Sequence, residues 1–122
     1  MSKFYKILAA AVLSVLAIGS LSACATAPMD MSSVAAVIDV RTADEWNSGH
    51  LDGAVNIDIQ SADFATKIDS LDHAANYVIY CHSGRRAGIA LTNMQSLGFT
   101  GTLTNAGGID EAAAATGLPI VQ

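Results

Sequence analysis

The chain has little positive charge and little cysteine. Its 122 residues include only 6 lysines and arginines against 11 aspartates and glutamates, so the net charge is −5, and it has 2 cysteines. An acidic chain is poorly suited to bind nucleic acid or an anionic membrane surface, and we exclude both roles. No group of histidine, cysteine and aspartate has the spacing of a metal site, and we expect none.

The first two dozen residues lack acidic side chains and are mostly apolar. Two lysines precede an uncharged run of 15 residues, 7–21, which is short for a membrane span and typical of a secretory signal peptide. The run ends in LSAC, which resembles the lipobox of bacterial lipoproteins and implies cleavage before Cys24 and lipidation of that cysteine. Ordinary signal cleavage after residues 25–27 is the alternative, and it would leave a secreted protein.

We therefore predict three segments: a signal peptide at residues 1–23, a lipidated Cys24 with a tether through residue 33, and one domain at 34–122. The processed chain has 4 basic and 11 acidic side chains, a net charge of −7. We expect a protein of the bacterial cell envelope that faces the periplasm and touches the membrane only through its lipid. Ala25 stands where an aspartate commonly retains such proteins in the inner membrane, which favours the outer one.

From Val34 onward, short apolar runs alternate with helical patterns. The runs predict strands at 34–40, 54–59, 77–81 and 99–105. The helical patterns predict a first helix that Thr42 and Glu45 cap, a second after Ser61, and two more at 86–97 and 109–117. This alternation predicts an α/β domain with a small parallel β-sheet and helices on both faces.

Cys81 ends the third predicted strand, and ligands collect at that edge of a parallel sheet. The amides of the following loop, the positive end of the next helix dipole and two nearby arginines all favour a thiolate. If Cys24 carries lipid, Cys81 has no partner for a disulfide. We predict a nucleophilic cysteine that binds an anion, with an inert buried cysteine as the alternative.

Three blocks in order resemble the rhodanese sulfurtransferases. CHSGRR at 81–86 is similar to the C-x-x-G-x-R active-site loop of the family, VIDVRTADEWNSGHLDGAVNI at 37–57 to its amino-terminal signature, and LGFTGTLTNAGGID at 97–110 to its double-glycine stretch. The resemblance covers residues 34 to 120. It implies a rhodanese-like α/β fold.

The resemblance also implies a thiosulfate sulfurtransferase. Cys81 would take the outer sulfur of thiosulfate or a similar anionic donor as a persulfide and pass it to cyanide or a thiol, without metal or organic cofactor. The acceptor would be a small thiol or a thiol protein of the envelope, and we expect a monomer. The loop that binds the donor would consist of His82, Ser83, Gly84, Arg85 and Arg86, and the residues that brace it would be Asp39 and Arg41.

The loop length argues against a phosphatase. Phosphatases related to this fold use C-x5-R, whereas Arg86 follows Cys81 after only four residues. A non-catalytic module that binds an anion or a partner, and a protein-to-protein sulfur relay, remain as further alternatives. His82 stands where relatives often have arginine, so the charge of the loop would depend on pH near neutrality.

Other polar residues favour structural roles. We expect Glu45 and Trp46 to cap and pack a helix, His50 to form a hydrogen bond in a turn, and Gly107 with Gly108 to form a tight turn near the site.

Overall fold

The structure, a computed structural model, describes residues 28–122. The predicted signal peptide and Cys24 lie outside these residues. The six strands are β1 (Val34–Asp39), β2 (His50–Leu51), β3 (Val55–Asn56), β4 (Asn76–Cys81), β5 (Leu103–Gly108) and β6 (Ile120–Val121). The four helices are α1 (Ala43–Asn47), α2 (Phe64–Asp69), α3 (Arg85–Ser96) and α4 (Ile109–Thr116).

The central sheet has four strands in the order β3-β1-β4-β5, and every neighbouring pair is parallel. The carboxyl ends of all four strands therefore lie at one edge of the sheet. β2 and β6 form a separate antiparallel pair. The predicted parallel α/β architecture is confirmed.

Alternate side chains of β4 enter two different cores. Tyr77, Ile79 and Cys81 pack on one face with apolar residues of α2 and α3. Val78 and Tyr80 pack on the other face with Val37, Leu51 and Ala112, the last from α4. Helices thus cover both faces, as predicted, and the central strand is buried throughout its carboxyl-terminal half.

The last strand of the sheet differs from its prediction. β5 begins four residues later than expected because Phe99 packs into the first core and the Thr100 N–H donates to the His73 carbonyl at 2.8 Å, which turns the chain. Gly107 and Gly108, predicted as a tight turn, instead end β5, where Gly108 pairs with Cys81. β3 is also shorter than predicted, and the β2–β6 pair was not predicted.

The predicted capping box of α1 is confirmed. Thr42 Oγ1 accepts from the Glu45 N–H at 3.3 Å, and the Glu45 carboxylate accepts from the Thr42 N–H at 3.2 Å. The predicted cap of α2 is wrong: α2 begins one residue after Asp63, and the Ser61 hydroxyl donates to the Asp63 carboxylate instead of capping the helix.

The segment before β1 lies against the second core. Met29 and Met31 pack on it, and the Met29 N–H donates to the Ala115 carbonyl at 2.7 Å. Within residues 28–122, every helix is too short or too polar to cross a membrane. The predicted division of the chain at residues 23 and 33 stays a prediction.

Candidate functional site

Cys81 is the last residue of β4, the most deeply buried strand of the sheet. Its side chain belongs to the first core, and the residue has 0% exposure. The Gly84 N–H donates to Cys81 Sγ at 2.8 Å. This hydrogen bond directs a backbone amide of the loop at the sulfur.

Two glycines let the loop after Cys81 fold back onto its own sulfur. Gly84 has φ +92°, a conformation that other residues rarely adopt, and it immediately precedes α3. A Cβ on Gly108 would overlap the His82 carbonyl oxygen, so only glycine permits β5 to approach the loop this closely. This close approach is the physical reason for a backbone role of the double glycine. The tight turn predicted for Gly107 and Gly108 is absent, because both residues belong to β5.

The two loop arginines have different surroundings. The Arg86 guanidinium donates to both carboxylate oxygens of Glu45, from Nη1 at 2.7 Å and from Nη2 at 2.9 Å. These bonds lower the pKa of Glu45 to about 2. The same bonds raise the pKa of Arg86. The nearby Cys81 and Asp58 add a smaller rise to that pKa. Arg85, the first residue of α3, is exposed to solvent.

Asp39 and Arg41 lie at the carboxyl end of β1, beside β4. Arg41 Nη2 donates to Asp39 Oδ2 at 2.8 Å and to the Gly49 carbonyl at 2.6 Å, and both side chains of the ion pair are buried. Tyr80, the residue before Cys81, lies against this pair, with its ring centroid 5.7 Å from Arg41 Cζ. The pair therefore fixes the strand ends that carry the loop, and neither residue contacts Cys81 directly by hydrogen bond.

Sequence reasoning missed two contacts that hold the loop. Glu45 was assigned to capping and packing alone, but it also binds Arg86, 41 positions away. Asn105 was not singled out, yet its Nδ2 donates to the Gly84 carbonyl at 3.0 Å while its Oδ1 accepts from the Gly107 N–H at 2.9 Å. Asn105 thus ties the loop to β5. Its position two residues before the double glycine was the only available signal.

Two histidines have different roles: His82 lies in the loop after Cys81, and His50 supports the fold. His82 is exposed in the loop beside Ser83, so its side chain faces solvent. His50 Nδ1 lies 3.0 Å from the Trp46 carbonyl, and its ring stacks on the Trp46 ring with 3.5 Å between centroids. The hydrogen bond that we predicted for His50 is confirmed.

A cavity of about 200 Å³ lies at the opposite edge of the sheet from Cys81, between the segment before β1 and the amino ends of β4 and β5. It contains no residue of the loop. Within residues 28–122, no three histidine, cysteine or acidic side chains are grouped to hold a metal ion.

The arrangement is suited to binding a small anion beside the Cys81 sulfur. It combines a cysteine at a strand end, a backbone amide directed at its sulfur, and an exposed guanidinium one residue beyond that amide. Because Cys81 is 0% exposed, any molecule that reaches its sulfur has to displace loop atoms.

Comparison with known proteins identifies a matching family and several relatives of this chain. Residues 23–115 match the model of the rhodanese-like domain. Thiosulfate sulfurtransferase 16 of Arabidopsis thaliana chloroplasts is 34% identical over 92 residues, which cover 67% of this chain and 76% of that protein. Thiosulfate sulfurtransferase PspE of Escherichia coli is 30% identical over 76 residues, 62% of this chain and 72% of that protein.

Solved structures agree with these relatives. A rhodanese-like domain from Anabaena superposes with a TM-score of 0.61 at 26% identity, covering 71% of this chain and 98% of that one. A structure described as a rhodanese with anions from Escherichia coli superposes with a TM-score of 0.58 at 29% identity, covering 71% of this chain and 96% of that one. The loop, the sheet and the relatives lead to one conclusion: the chain belongs to the family of rhodanese-like domains.

Proposed function

We propose that this protein is a sulfurtransferase that moves a sulfane sulfur from thiosulfate, or a similar anionic donor, to a thiol or to cyanide through a persulfide on Cys81. The observation that carries the proposal is the 2.8 Å hydrogen bond from the Gly84 N–H to Cys81 Sγ. It shows that the loop directs a backbone amide at the sulfur. The names of two relatives as thiosulfate sulfurtransferases support the same reaction.

The reaction has two balanced steps. In the first, the Cys81 thiolate attacks the outer sulfur of thiosulfate, the S–S bond of the donor breaks with its electron pair leaving on sulfite, and a Cys81 persulfide anion forms. In the second, an acceptor thiolate attacks the outer sulfur of that persulfide, so the acceptor leaves as a persulfide and the Cys81 thiolate is restored. The amides of residues 82–86 would surround the charged outer sulfur between the two steps.

The structure gives more support to this reaction than to phosphoryl transfer. α3 begins at Arg85, so only three residues separate Cys81 from the helix. Arg86, which would have to contact a phosphate, is instead bound by both oxygens of Glu45. The related E. coli structure is described as a rhodanese with anions, which supports an anionic ligand for this chain as well.

The test is the intact mass of the chain before and after incubation with thiosulfate, in a Cys24→Ser background that leaves Cys81 as the sole thiol. We expect a gain of one sulfur, roughly 32 Da, that cyanide or a thiol then removes. Cys81→Ser in the same background is the matched control and should gain nothing. A folded chain with a free Cys81 thiol and no mass gain would reject thiosulfate as donor and favour a binding module or a protein relay.

The envelope location is a separate proposal. We propose that Cys24 is lipidated after cleavage and that the domain faces the periplasm, on the basis of the LSAC motif. The mass of the protein purified from membranes tests it, because acyl chains on an amino-terminal Cys24 add a large, defined mass that Cys24→Ser abolishes. An unmodified mature chain in the soluble fraction would contradict it.

A further inference from the structure

We propose that Arg85 alone captures the donor, that Arg86 braces the loop, and that the site therefore selects small dianionic donors. This inference rests on the proposed function and divides between the two arginines a role that the sequence predicts for both. It follows from the carboxylate partners of the lysines and arginines in the described part of the chain.

Three of the four lysines and arginines in residues 28–122 are paired with a carboxylate. Arg41 binds Asp39, Lys67 binds Asp63 and Arg86 binds Glu45. Arg85 is the only lysine or arginine of residues 28–122 with no carboxylate within ion-pair distance, and residues 1–27 contain no aspartate or glutamate to supply one. Its positive charge is therefore available to a ligand.

Arg86 is less available for the same purpose. Both of its terminal nitrogens are committed to Glu45, and its side chain is 23% exposed. To bind the sulfonate end of a donor, it would have to leave a bidentate carboxylate, which is among the strongest partners a guanidinium has. It acts on the loop as a positioning residue, because it joins the first turn of α3 to α1.

The surroundings of the loop make the charge of Arg85 decisive. Asp58 contributes to the field at Arg86, and the Glu111 carboxylate lies against Gly107. The processed chain has a net charge of −7. The net negative charge repels an approaching dianion, and Arg85 is the one lysine or arginine of residues 28–122 whose attraction for it is not offset by a paired carboxylate. Because Cys81 has 0% exposure, a small donor also reaches its sulfur with the least displacement of the loop.

The experiment measures the second-order rate constant of persulfide formation on Cys81 by intact mass, in the Cys24→Ser full chain, with two donors. Thiosulfate carries two negative charges. Methanethiosulfonate carries one and transfers the same outer sulfur, leaving methanesulfinate. For Arg85→Gln we expect the rate with thiosulfate to fall about fivefold and the rate with the monoanion about twofold. The effect should shrink as salt is raised from about 0.01 M to 1 M, because salt screens exposed charges.

Two variants control for charge and for loop structure. Arg85→Lys keeps the charge and should keep the preference for thiosulfate. Lys67→Gln removes one positive charge from α2, outside the loop, and should leave both rates unchanged. A loop that was merely distorted would lose the same factor with both donors.

The outcomes separate this inference from the proposed function. If the parent chain gains sulfur but Arg85→Gln keeps the parent ratio of the two rates and its salt dependence, the role of Arg85 is overturned and sulfur transfer stands. If the parent chain gains sulfur from neither donor, both are overturned.

Discussion

Two arginine–carboxylate pairs in this domain show how burial separates a residue that holds the fold from one that holds the loop. Asp39 and Arg41 are two positions apart, and their side chains are 0% and 5% exposed. Glu45 and Arg86 are 41 positions apart, and their side chains are 31% and 23% exposed. Both pairs have short hydrogen bonds, so geometry alone does not distinguish them.

The difference lies in what each pair connects. The Asp39–Arg41 pair satisfies charges within one strand end, and the same guanidinium also binds the Gly49 carbonyl. The Glu45–Arg86 pair joins α1 to the start of α3, and thus a helix of the amino-terminal signature to the loop that carries Cys81. We therefore expect the first pair to determine stability and the second to influence the loop with a smaller effect on stability.

The largest effect should follow from Asp39→Asn. The substitution keeps the shape of the side chain but leaves the buried Arg41 guanidinium without a counter-charge. Removing one partner of a buried pair typically costs about 3–5 kcal/mol of unfolding free energy, and we expect a loss in that range. Urea unfolding followed by circular dichroism measures it.

The matched control is the double variant Asp39→Asn, Arg41→Met, which removes both charges. Because replacing a whole buried pair with neutral groups is far less costly than breaking it, we expect the double variant to recover about half of the loss. A single variant that lost less than about 1 kcal/mol would show that this pair behaves like a surface pair, and the comparison would fail.

The regular elements that contain Asp39, Glu45 and Cys81 were predictable from sequence, because their signals are local. β1 and β4 are apolar runs, and the capping box of α1 lies within four residues. β2 and β6 were not predictable, since each has two residues and their pairing joins His50 to Val121 without any periodic pattern. The carboxyl end of β5 was not predicted because glycines are rare in strands, and here the close approach of Gly108 to the His82 carbonyl requires one.

The same reasoning explains the result for the site. The position of Cys81 at a strand end and the curl at Gly84 follow from residue types within one short segment. The partners of Arg86 and of the Gly84 carbonyl are Glu45 and Asn105, which lie 41 and 21 positions away. Such contacts depend on how the elements pack, and no local pattern specifies them.

A smaller effect should follow from Glu45→Gln. Glutamine is accepted at this position of a capping box, so α1 keeps its cap and the change removes only the negative charge that pairs with Arg86. Since the Glu45 side chain is 31% exposed, solvent screens the pair, and we expect a loss of about 1 kcal/mol at neutral pH. Urea unfolding beside Asp39→Asn gives the comparison directly. Equal losses from the two variants would contradict the proposed division between fold and loop.

The stability difference between the parent chain and Glu45→Gln should also depend on pH. Arg86 lowers the pKa of Glu45 from 4.5 to about 2 in the folded chain. A carboxyl with a lowered folded pKa contributes stability that is fully present above its unfolded pKa and is lost as pH falls through its folded pKa. The difference should therefore be constant above about pH 5 and decline steadily toward pH 2. A difference that stayed constant across this range would assign the effect to packing.

The smallest effect should follow from Lys67→Gln, which marks the exposed end of the comparison. Lys67 Nζ lies 3.1 Å from Asp63 Oδ2 on α2, and the two side chains are 57% and 54% exposed. Water solvates both charges almost equally well when the pair is broken, and salt screens their attraction, so we expect no measurable change in the urea midpoint. A loss as large as that of Glu45→Gln would mean that burial does not set the order of the three pairs. The order would then have to come from the segments that each pair connects.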